Sequence, residues 1–135
     1  MKGAKETFAE LRKKKFKTAV ISSGPLHLAL RCKKELGINF IFSNELVIKN
    51  NIIRGGFNWP IGFGKDEKAI ILDRLVKRLR ISLQQVAYIG ENDNDIGVCR
   101  KAGLSICFNS RSKELEKVCD FAVSGKDLTE ILKYL

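Results

Sequence analysis

Several residue types that would point to a particular class of protein are scarce in this sequence. It has one histidine, His27, and no two cysteines at C-x-x-C spacing, so a zinc site is not expected. No apolar run approaches the ~20 residues of a membrane helix, and residues 1–17 lack the apolar segment and cleavage site of a signal peptide. We therefore expect no membrane partner and a cytoplasmic location. The irregularly spaced cysteines are predicted to be reduced, packed thiols: Cys32, Cys99, Cys107 and Cys119.

Positive charge exceeds negative charge but is unevenly spread. The 25 lysines and arginines outnumber the 15 acidic residues, which gives a formal net charge of +10. Residues 1–17 and 73–80 are dense basic segments. Such segments are either solvated helix faces or a surface that attracts anions such as nucleic acid. Because no nucleic-acid-binding motif accompanies the charges, we favour solvated faces and do not expect a nucleic-acid partner.

Hydrophobic periodicity divides the chain into alternating helices and strands. Gly37 is placed to end the second helix, Asp127 to cap the last one, and Asn50–Asn51 to form the tight turn of a β-hairpin. The predicted helices are residues 3–14, 26–36, 66–80, 93–102, 111–117 and 127–134. The predicted strands are 18–22, 39–43, the two arms of the hairpin within 45–55, 85–90, 104–108 and 121–125, and residues 55–64 are predicted to be a loop.

The predicted strands are mostly continuous apolar runs, which are typical of a parallel sheet covered by helices on both faces. The fold class is therefore α/β, and the length predicts one domain, 1–135, with a single core. Ligands bind such sheets at the carboxyl ends of the strands. Two polar stretches occupy these positions: Ser22–Gly24 after the first strand and residues 90–95 after the strand at 85–90.

The stretch GENDNDIG at 90–97 holds three carboxylates, Glu91, Asp93 and Asp95, within five positions. Ionised carboxylates at this spacing repel one another unless a cation compensates them, and oxygen ligands favour Mg²⁺ or Ca²⁺. A calcium-binding EF-hand is excluded, because its sixth and twelfth positions, counted from Glu91, would be Ile96 and Ala102. A Mg²⁺ site and a helix N-terminus stabilised by acidic residues remain as alternatives.

The order of these segments resembles that of the haloacid dehalogenase-like (HAD) phosphatases, and within them the phosphoserine phosphatase branch. The family's fourth motif, Gly-Asp-Gly-x-Asn-Asp, is matched by Gly90, Asn94 and Asp95. Its second motif, a serine at a strand end, is matched by Ser22 and Gly24. The resemblance covers essentially the whole chain. It implies a three-layer Rossmann-like parallel sheet with helices on both faces and a small β-hairpin.

The third motif of the family is a lysine at the start of a helix, for which Lys68 is the best match and Lys65 the second. The resemblance implies phosphomonoester hydrolysis with Mg²⁺ as cofactor and with Lys68 and Ser22 as catalytic residues. Lys68 would neutralise charge on the phosphoryl group, and Glu91 and Asp95 would hold the metal directly or through water. The residues implied to bind phosphate or substrate are Ser22, Ser23, Gly24, Lys68 and Asn94.

The family's first motif, Asp-x-Asp-x-Thr/Val, has no counterpart here, because the first aspartate of the sequence is Asp66. In the family, the first aspartate of that motif attacks phosphorus. We expect the nucleophile strand and the helical cap to lie upstream of Met1. That strand would be the central one, between 18–22 and 85–90. Within the fourth motif, Glu91 replaces an aspartate and Asn92 replaces a glycine.

Three functions are compatible with this pattern. In the first, the chain is a phosphatase-like protein that is inactive alone and whose nucleophile strand comes from another polypeptide or from a removed segment. In the second, it is a catalytically inactive module that binds phosphate, Mg²⁺ or another protein, and in the third it is a basic nucleic-acid-binding protein. The expected partners are a phosphorylated small molecule, if the chain is active, and a second copy or another chain that supplies the missing strand.

Overall fold

The computed structural model describes residues 1–58, 61 and 66–135, except for the side chain of residue 57. Lys65 and half of the predicted loop at 55–64 lie outside the described residues. The α-helices are α1 (Ala4–Lys13), α2 (Leu26–Leu36), α3 (Glu67–Leu79), α4 (Ile96–Cys99) and α5 (Lys113–Val118). The strands are β1 (Ala19–Pro25), β2 (Phe40–Lys49), β3 (Ile52–Asn58), β4 (Ala87–Gly90), β5 (Leu104–Phe108) and β6 (Phe121–Val123). Short 3₁₀ helices cover Leu83–Gln85, Asp93–Asp95 and Leu128–Tyr134.

The chain divides into two compact units, one of Met1–Gly3 with Phe63–Leu135 and the other of Ala4–Gly62. The first is called the C-terminal unit and the second the N-terminal unit. The single domain over 1–135 stays a prediction. Among the described residues, no helix has the length and apolar character required to cross a membrane.

In the N-terminal unit, three strands form a mixed sheet in the order β1-β2-β3, with β1 parallel and β3 antiparallel to β2. The predicted end of α2 is confirmed, because Gly37 has the left-handed φ of 70° that favours glycine after a helix. The predicted hairpin is also confirmed. Asn50 and Asn51 have φ values of 51° and 59°, which a tight two-residue turn between twisted strands requires.

Two segments predicted to be loops belong to strands. β3 continues to Asn58. Gly55, at φ 64°, lies within a stretch where the register of the two strands shifts, and pairing with β2 resumes beyond it, where Glu45 pairs with Asn58. β1 continues to Pro25, with an irregular register between Ser22 and Pro25. The loop predictions were wrong in these segments because glycine was taken as a strand end, whereas pairing with β2 continues past it.

In the C-terminal unit, three strands pair in parallel in the order β4-β5-β6. The central strand β5 is buried from Ser105 to Phe108, whereas the edge strand β4 is half-buried up to Gly90. Because side chains alternate along a strand, β5 contributes to apolar clusters on both of its faces. One cluster contains Cys107 with Ile96, Cys99 and Leu115, and the other contains Ile106 and Phe108 with Val123 and Ile131. The predicted α/β class is confirmed.

The helices of this unit are shorter or tighter than predicted. The helix predicted at 93–102 is a 3₁₀ turn followed by the four residues of α4. At the start of the turn, the Asn92 amide donates a hydrogen bond to the Asp95 side chain. The helix predicted at 127–134 is a 3₁₀ helix. Its predicted cap is confirmed, since Asp127 accepts a hydrogen bond from the Thr129 amide at 3.0 Å.

All four cysteines are free thiols, and three of them lie in or beside the core of the C-terminal unit. Burial raises the pKa of Cys107 to about 11, and burial also raises the pKa of Cys99 and of Cys119. These thiols therefore stay protonated near neutral pH. The prediction of a packed thiol was wrong for Cys32, which is exposed on α2, a helix with no buried residue.

Candidate functional site

The acidic stretch begins where β4 ends, and a glycine makes its shape possible. Gly90 is the last residue of β4 and is buried. A Cβ atom at this position would lie only 2.7 Å from the Cβ of Asp95 and 3.0 Å from its Cγ. Because glycine lacks that atom, the chain after Gly90 can turn so that the Asp95 side chain folds back against the strand end.

Asp95 is the centre of a buried hydrogen-bond network and is only 3% exposed. Its Oδ1 accepts from Lys68 Nζ at 2.6 Å and from the Tyr88 hydroxyl at 2.7 Å. Its Oδ2 accepts from the backbone amides of Glu91 at 2.9 Å and Asn92 at 3.1 Å. An ionised carboxylate has about four acceptor positions, so these four bonds saturate it.

The network keeps the Asp95 carboxylate ionised. Burial alone would raise its pKa, but the hydrogen bond and positive charge of Lys68, with the bonds from Glu91 and Tyr88, lower the pKa below its ordinary 3.8. Burial, reinforced by the negative charge of Asp95, raises the pKa of Tyr88. The phenol therefore remains a hydrogen-bond donor to the carboxylate.

Lys68 lies in the first turn of α3 and is 7% exposed. Besides its ion pair with Asp95, its Nζ donates to Oδ1 of Asn94 at 3.2 Å. An ammonium group has three N–H donors, and these contacts within the described residues use two of them. The third can be offered to one more acceptor, such as an oxygen of an anion held at this strand end.

The other two carboxylates of the stretch have separate partners. Oδ1 of Asp93 accepts from the hydroxyl of Ser112, and Ser112 in turn accepts from the Leu115 amide and caps α5. Glu91 is exposed, and its Oε1 accepts from the Asn92 side chain at 3.1 Å. The three carboxylates thus do not share one compensating group. Within the described part of the chain, no three His, Cys, Asp or Glu side chains are arranged to hold a metal.

The predicted phosphate-binding turn lies in the N-terminal unit and is held by side-chain bonds. The Ser22 hydroxyl accepts from the Gly24 amide at 3.1 Å. The carbonyls of Ser23 and Gly24 accept from the side chains of Asn44, at 3.0 Å, and Ser43, at 2.6 Å. Asn44 and Ser43 are both buried, so β2 fixes the backbone of this turn. The structure thus places Ser22, Ser23 and Gly24 in one unit and Lys68, Glu91, Asn94 and Asp95 in the other.

Sequence reasoning missed Tyr88 and Ser112. Tyr88 carries the only polar side-chain atom in the apolar strand segment AYIG, and a buried tyrosine hydroxyl normally has a hydrogen-bond partner. That rule could have drawn attention to Tyr88, two residues before Gly90. Ser112 has the sequence signal of a helix cap, a serine just before a helical segment rich in Glu and Lys. No sequence signal showed that its hydroxyl also reaches Asp93.

We expect Tyr88→Phe to lower the free energy of unfolding by about 1.5–3 kcal/mol, the range for a hydrogen bond to a charged group. The ring and its packing are kept, so only the donor to Asp95 is removed. Urea unfolding at neutral pH measures the effect. Tyr134→Phe is the control. The ring centroid of Tyr134 lies 4.3 Å from that of Phe121, and Tyr134 has no such buried carboxylate partner among the described residues. Equal losses in both variants would contradict the assigned role of the Tyr88 hydroxyl.

The comparisons with known proteins agree with this fold. The family model of the haloacid dehalogenase-like hydrolases matches residues 1–103, about three quarters of the chain. The chain belongs to this hydrolase family. Within it, the relatives place the chain in the phosphoserine phosphatase-like branch, and the resemblance deduced from the motifs is confirmed.

One curated relative is a phosphoserine phosphatase of Methanocaldococcus jannaschii, 33% identical over 98% of this chain and 62% of its own length. A solved structure of a substrate-bound phosphoserine phosphatase complex superposes with a TM-score of 0.91 at 32% identity, over 99% of this chain and 63% of that one. A second solved structure, of a phospho-aspartyl intermediate analogue of phosphoserine phosphatase, superposes with a TM-score of 0.90 at 32% identity and covers the same shares of the two chains. The chain therefore spans less than two thirds of the length of these proteins.

Proposed function

We propose that this chain is the Lys68-bearing part of a Mg²⁺-dependent phosphatase that acts on a small phosphomonoester of the phosphoserine class. The observation that carries the proposal is the buried ion pair between Lys68 and Asp95, joined by Asn94 and placed at the carboxyl end of β4. Phosphoryl transfer depends on positioned charge, and this arrangement holds one ammonium group rigidly at the place where α/β sheets bind ligands.

In this proposal Asp95 positions Lys68. The pair fixes the ammonium direction, and the remaining N–H donor of Lys68 binds a phosphoryl oxygen and offsets its negative charge. Asn94 restricts the ammonium further, since its Oδ1 occupies a second donor. The Ser22 hydroxyl and the backbone around it keep their predicted role of binding phosphoryl oxygens, because Ser22 still has a proton to donate while it accepts from Gly24.

The donor set at β4 fits Mg²⁺ through Glu91 rather than through Asp95. All four acceptor positions of Asp95 are used by protein donors, whereas Glu91 is exposed and its carboxylate can offer a hard oxygen ligand. We therefore assign Glu91 as the residue of this chain that would hold the ion. When bound, Mg²⁺ would offset negative charge on the phosphoryl oxygens.

The nucleophile is proposed to come from outside these 135 residues. No aspartate precedes Asp66, and a solved structure of a similar phosphoserine phosphatase holds an analogue of a phospho-aspartyl intermediate. Each of the two sheets also has an edge strand with only half-buried apolar residues, β1 with Val20 and Ile21 and β4 with Tyr88 and Ile89. An additional strand could pair with such an edge, whether it belongs to the same protein, to a second copy or to another chain.

Hydrolysis of phosphoserine in the presence of Mg²⁺ tests the proposal. We expect the chain alone to be inactive and a mixture with a peptide carrying an Asp-x-Asp strand to be active. Light scattering of both samples reports whether the strand or a second copy binds. Hydrolysis by the chain alone would contradict the proposal and would direct attention to Asp66 or Asp93 as nucleophiles. An inactive mixture that still binds phosphate and Mg²⁺ would favour the alternative of an inactive binding module.

We expect Glu91→Gln to weaken Mg²⁺ binding by about tenfold or more, because it removes the charge of the assigned ligand but keeps its shape. Titration calorimetry with MgCl₂ measures this without any need for activity. Glu6→Gln is a control of the same chemistry at an exposed position on α1, in the N-terminal unit. If both variants keep the affinity of the unmodified chain, Glu91 is not the ligand.

A further inference from the structure

The basic segment at 73–80 is part of α3, and the structure shows how its charges are distributed. Arg74, Lys77 and Arg78 are exposed, and their spacing of three and four residues places them on one face of the helix. These three residues are called the α3 basic stripe. The Cβ atoms of such neighbours lie about 5–6 Å apart, so the three cations repel one another.

The stripe has no compensating partner within the described part of the chain. The acidic residue nearest in sequence, Asp73, is paired instead with Lys101 on the segment after α4, at 2.6 Å. Two exposed cations of other helices are paired, Lys13 with Glu10 on α1 and Arg31 with Glu35 on α2. Lys33 and Lys34 on α2 have no ion pair among the described residues, but they are two cations rather than a row of three. Interaction with the helix dipole explains two cations in the last turn, Lys77 and Arg78, but Arg74 lies one turn earlier.

The sequence alone favours a solvated face for residues 73–80, but the structure brings three exposed cations into one row without an acidic partner among the described residues. We therefore propose that the α3 basic stripe binds the phosphate backbone of a nucleic acid, independently of the function proposed for the site at β4. The stripe extends about 6 Å along the helix from Arg74 to Arg78, which matches a run of closely spaced phosphates on one strand. A lipid surface fits less well. Ile70 is an exposed apolar residue of α3, but one side chain gives little apolar area to insert between lipids. The other apolar residues of this helix are mostly buried in the C-terminal unit: Ala69, Ile71, Leu72, Leu75 and Val76.

Fluorescence anisotropy with a labelled DNA duplex tests the proposal. Three phosphate contacts predict that log K falls with log salt at a slope of about −2.7, so affinity drops about 40-fold from ~50 to ~200 mM salt. The triple variant Arg74→Gln, Lys77→Gln, Arg78→Gln should bind at least about tenfold more weakly at ~50 mM salt. The salt slope of the unmodified chain keeps the proposal testable even if the variant folds poorly.

A second triple variant removes the same charge elsewhere and serves as the control. Lys5, Lys33 and Lys34 are exposed on α1 and α2, and their replacement by glutamine should change binding little. An equal loss in both variants would mean that only the net charge of +10 attracts DNA, and would overturn the proposal. It would also be overturned if the duplex did not bind at ~50 mM salt, or if the stripe bound phosphatidylserine vesicles in preference to DNA.

Discussion

We expect Lys68→Met to lower the free energy of unfolding by about 3–5 kcal/mol, the largest stability loss of any substitution at the site. Methionine fills much of the volume of the lysine side chain, so the loss comes from charge rather than from a cavity. The substitution leaves Asp95 buried, ionised and without its ammonium partner. Urea unfolding at neutral pH measures the change.

The chain offers a matched control for this experiment. Lys101 and Asp73 form an ion pair of the same length, 2.6 Å, but their side chains are 42% and 34% exposed against 9% and 4% for Lys68 and Asp95. Solvent screens such a pair, so Lys101→Met should cost at most about 1 kcal/mol. A similar cost for both lysines would show that burial does not set the strength of the Lys68–Asp95 pair.

Two further measurements separate the charge effect from a loss of packing. The double variant Lys68→Met, Asp95→Asn removes both charges and should be more stable than Lys68→Met alone. At acid pH, the difference in free energy of unfolding between Lys68→Met and the unmodified chain should also become smaller. The pKa of Asp95 is below 3.8 in the folded chain, so the stabilisation by the ion pair is present near neutral pH and is lost as the pH falls through that lowered value. If this difference in free energy stayed the same at acid pH, the stability loss would come from lost packing rather than from charge.

The sequence was sufficient to predict those parts of the fold that depend on local signals. Asn50 and Asn51 form the predicted turn and Gly37 ends α2, because each of these residues has a backbone conformation that few others tolerate. The loops predicted at Gly24 and at Gly55 were wrong, since pairing with β2 is a nonlocal interaction that a single segment does not reveal. Glycine in these strands marks an irregularity of the ladder rather than its end.

Near the end of β4, the sequence drew attention to the charged residues but did not show which partner each of them has. Glu91, Asp93 and Asp95 were considered as one cluster because they are neighbours in the chain. The structure gives each a different partner, because the 3₁₀ turn after Gly90 directs Asp95 inward, Asp93 toward Ser112 and leaves Glu91 exposed. Lys68 is 27 residues from Asp95, so nothing in the local pattern could show that the two would pair.

Gly90→Ala should disrupt this site more than any other single added methyl group in it. The new Cβ would lie 2.7 Å from the Cβ of Asp95. Because a Cβ atom is bonded directly to the backbone, it can move away only if the backbone of the turn also moves. We expect a loss of about 1–3 kcal/mol in unfolding free energy, the usual cost of overpacking. We also expect faster hydrogen exchange at the amides of Glu91 and Asn92, because their bonds to Asp95 Oδ2 would lengthen.

Gly56→Ala is the control for this substitution, because a Cβ there would meet Val47 at an ordinary contact distance of 3.4 Å. Its backbone is not left-handed, so the added methyl group should be tolerated. Unchanged exchange at Glu91 and Asn92 in Gly90→Ala, together with lowered stability, would place the strain in the pairing of Gly90 with Cys107 on β5. Faster exchange confined to the two amides would instead show that Gly90 is required for the turn that brings Asp95 to Lys68.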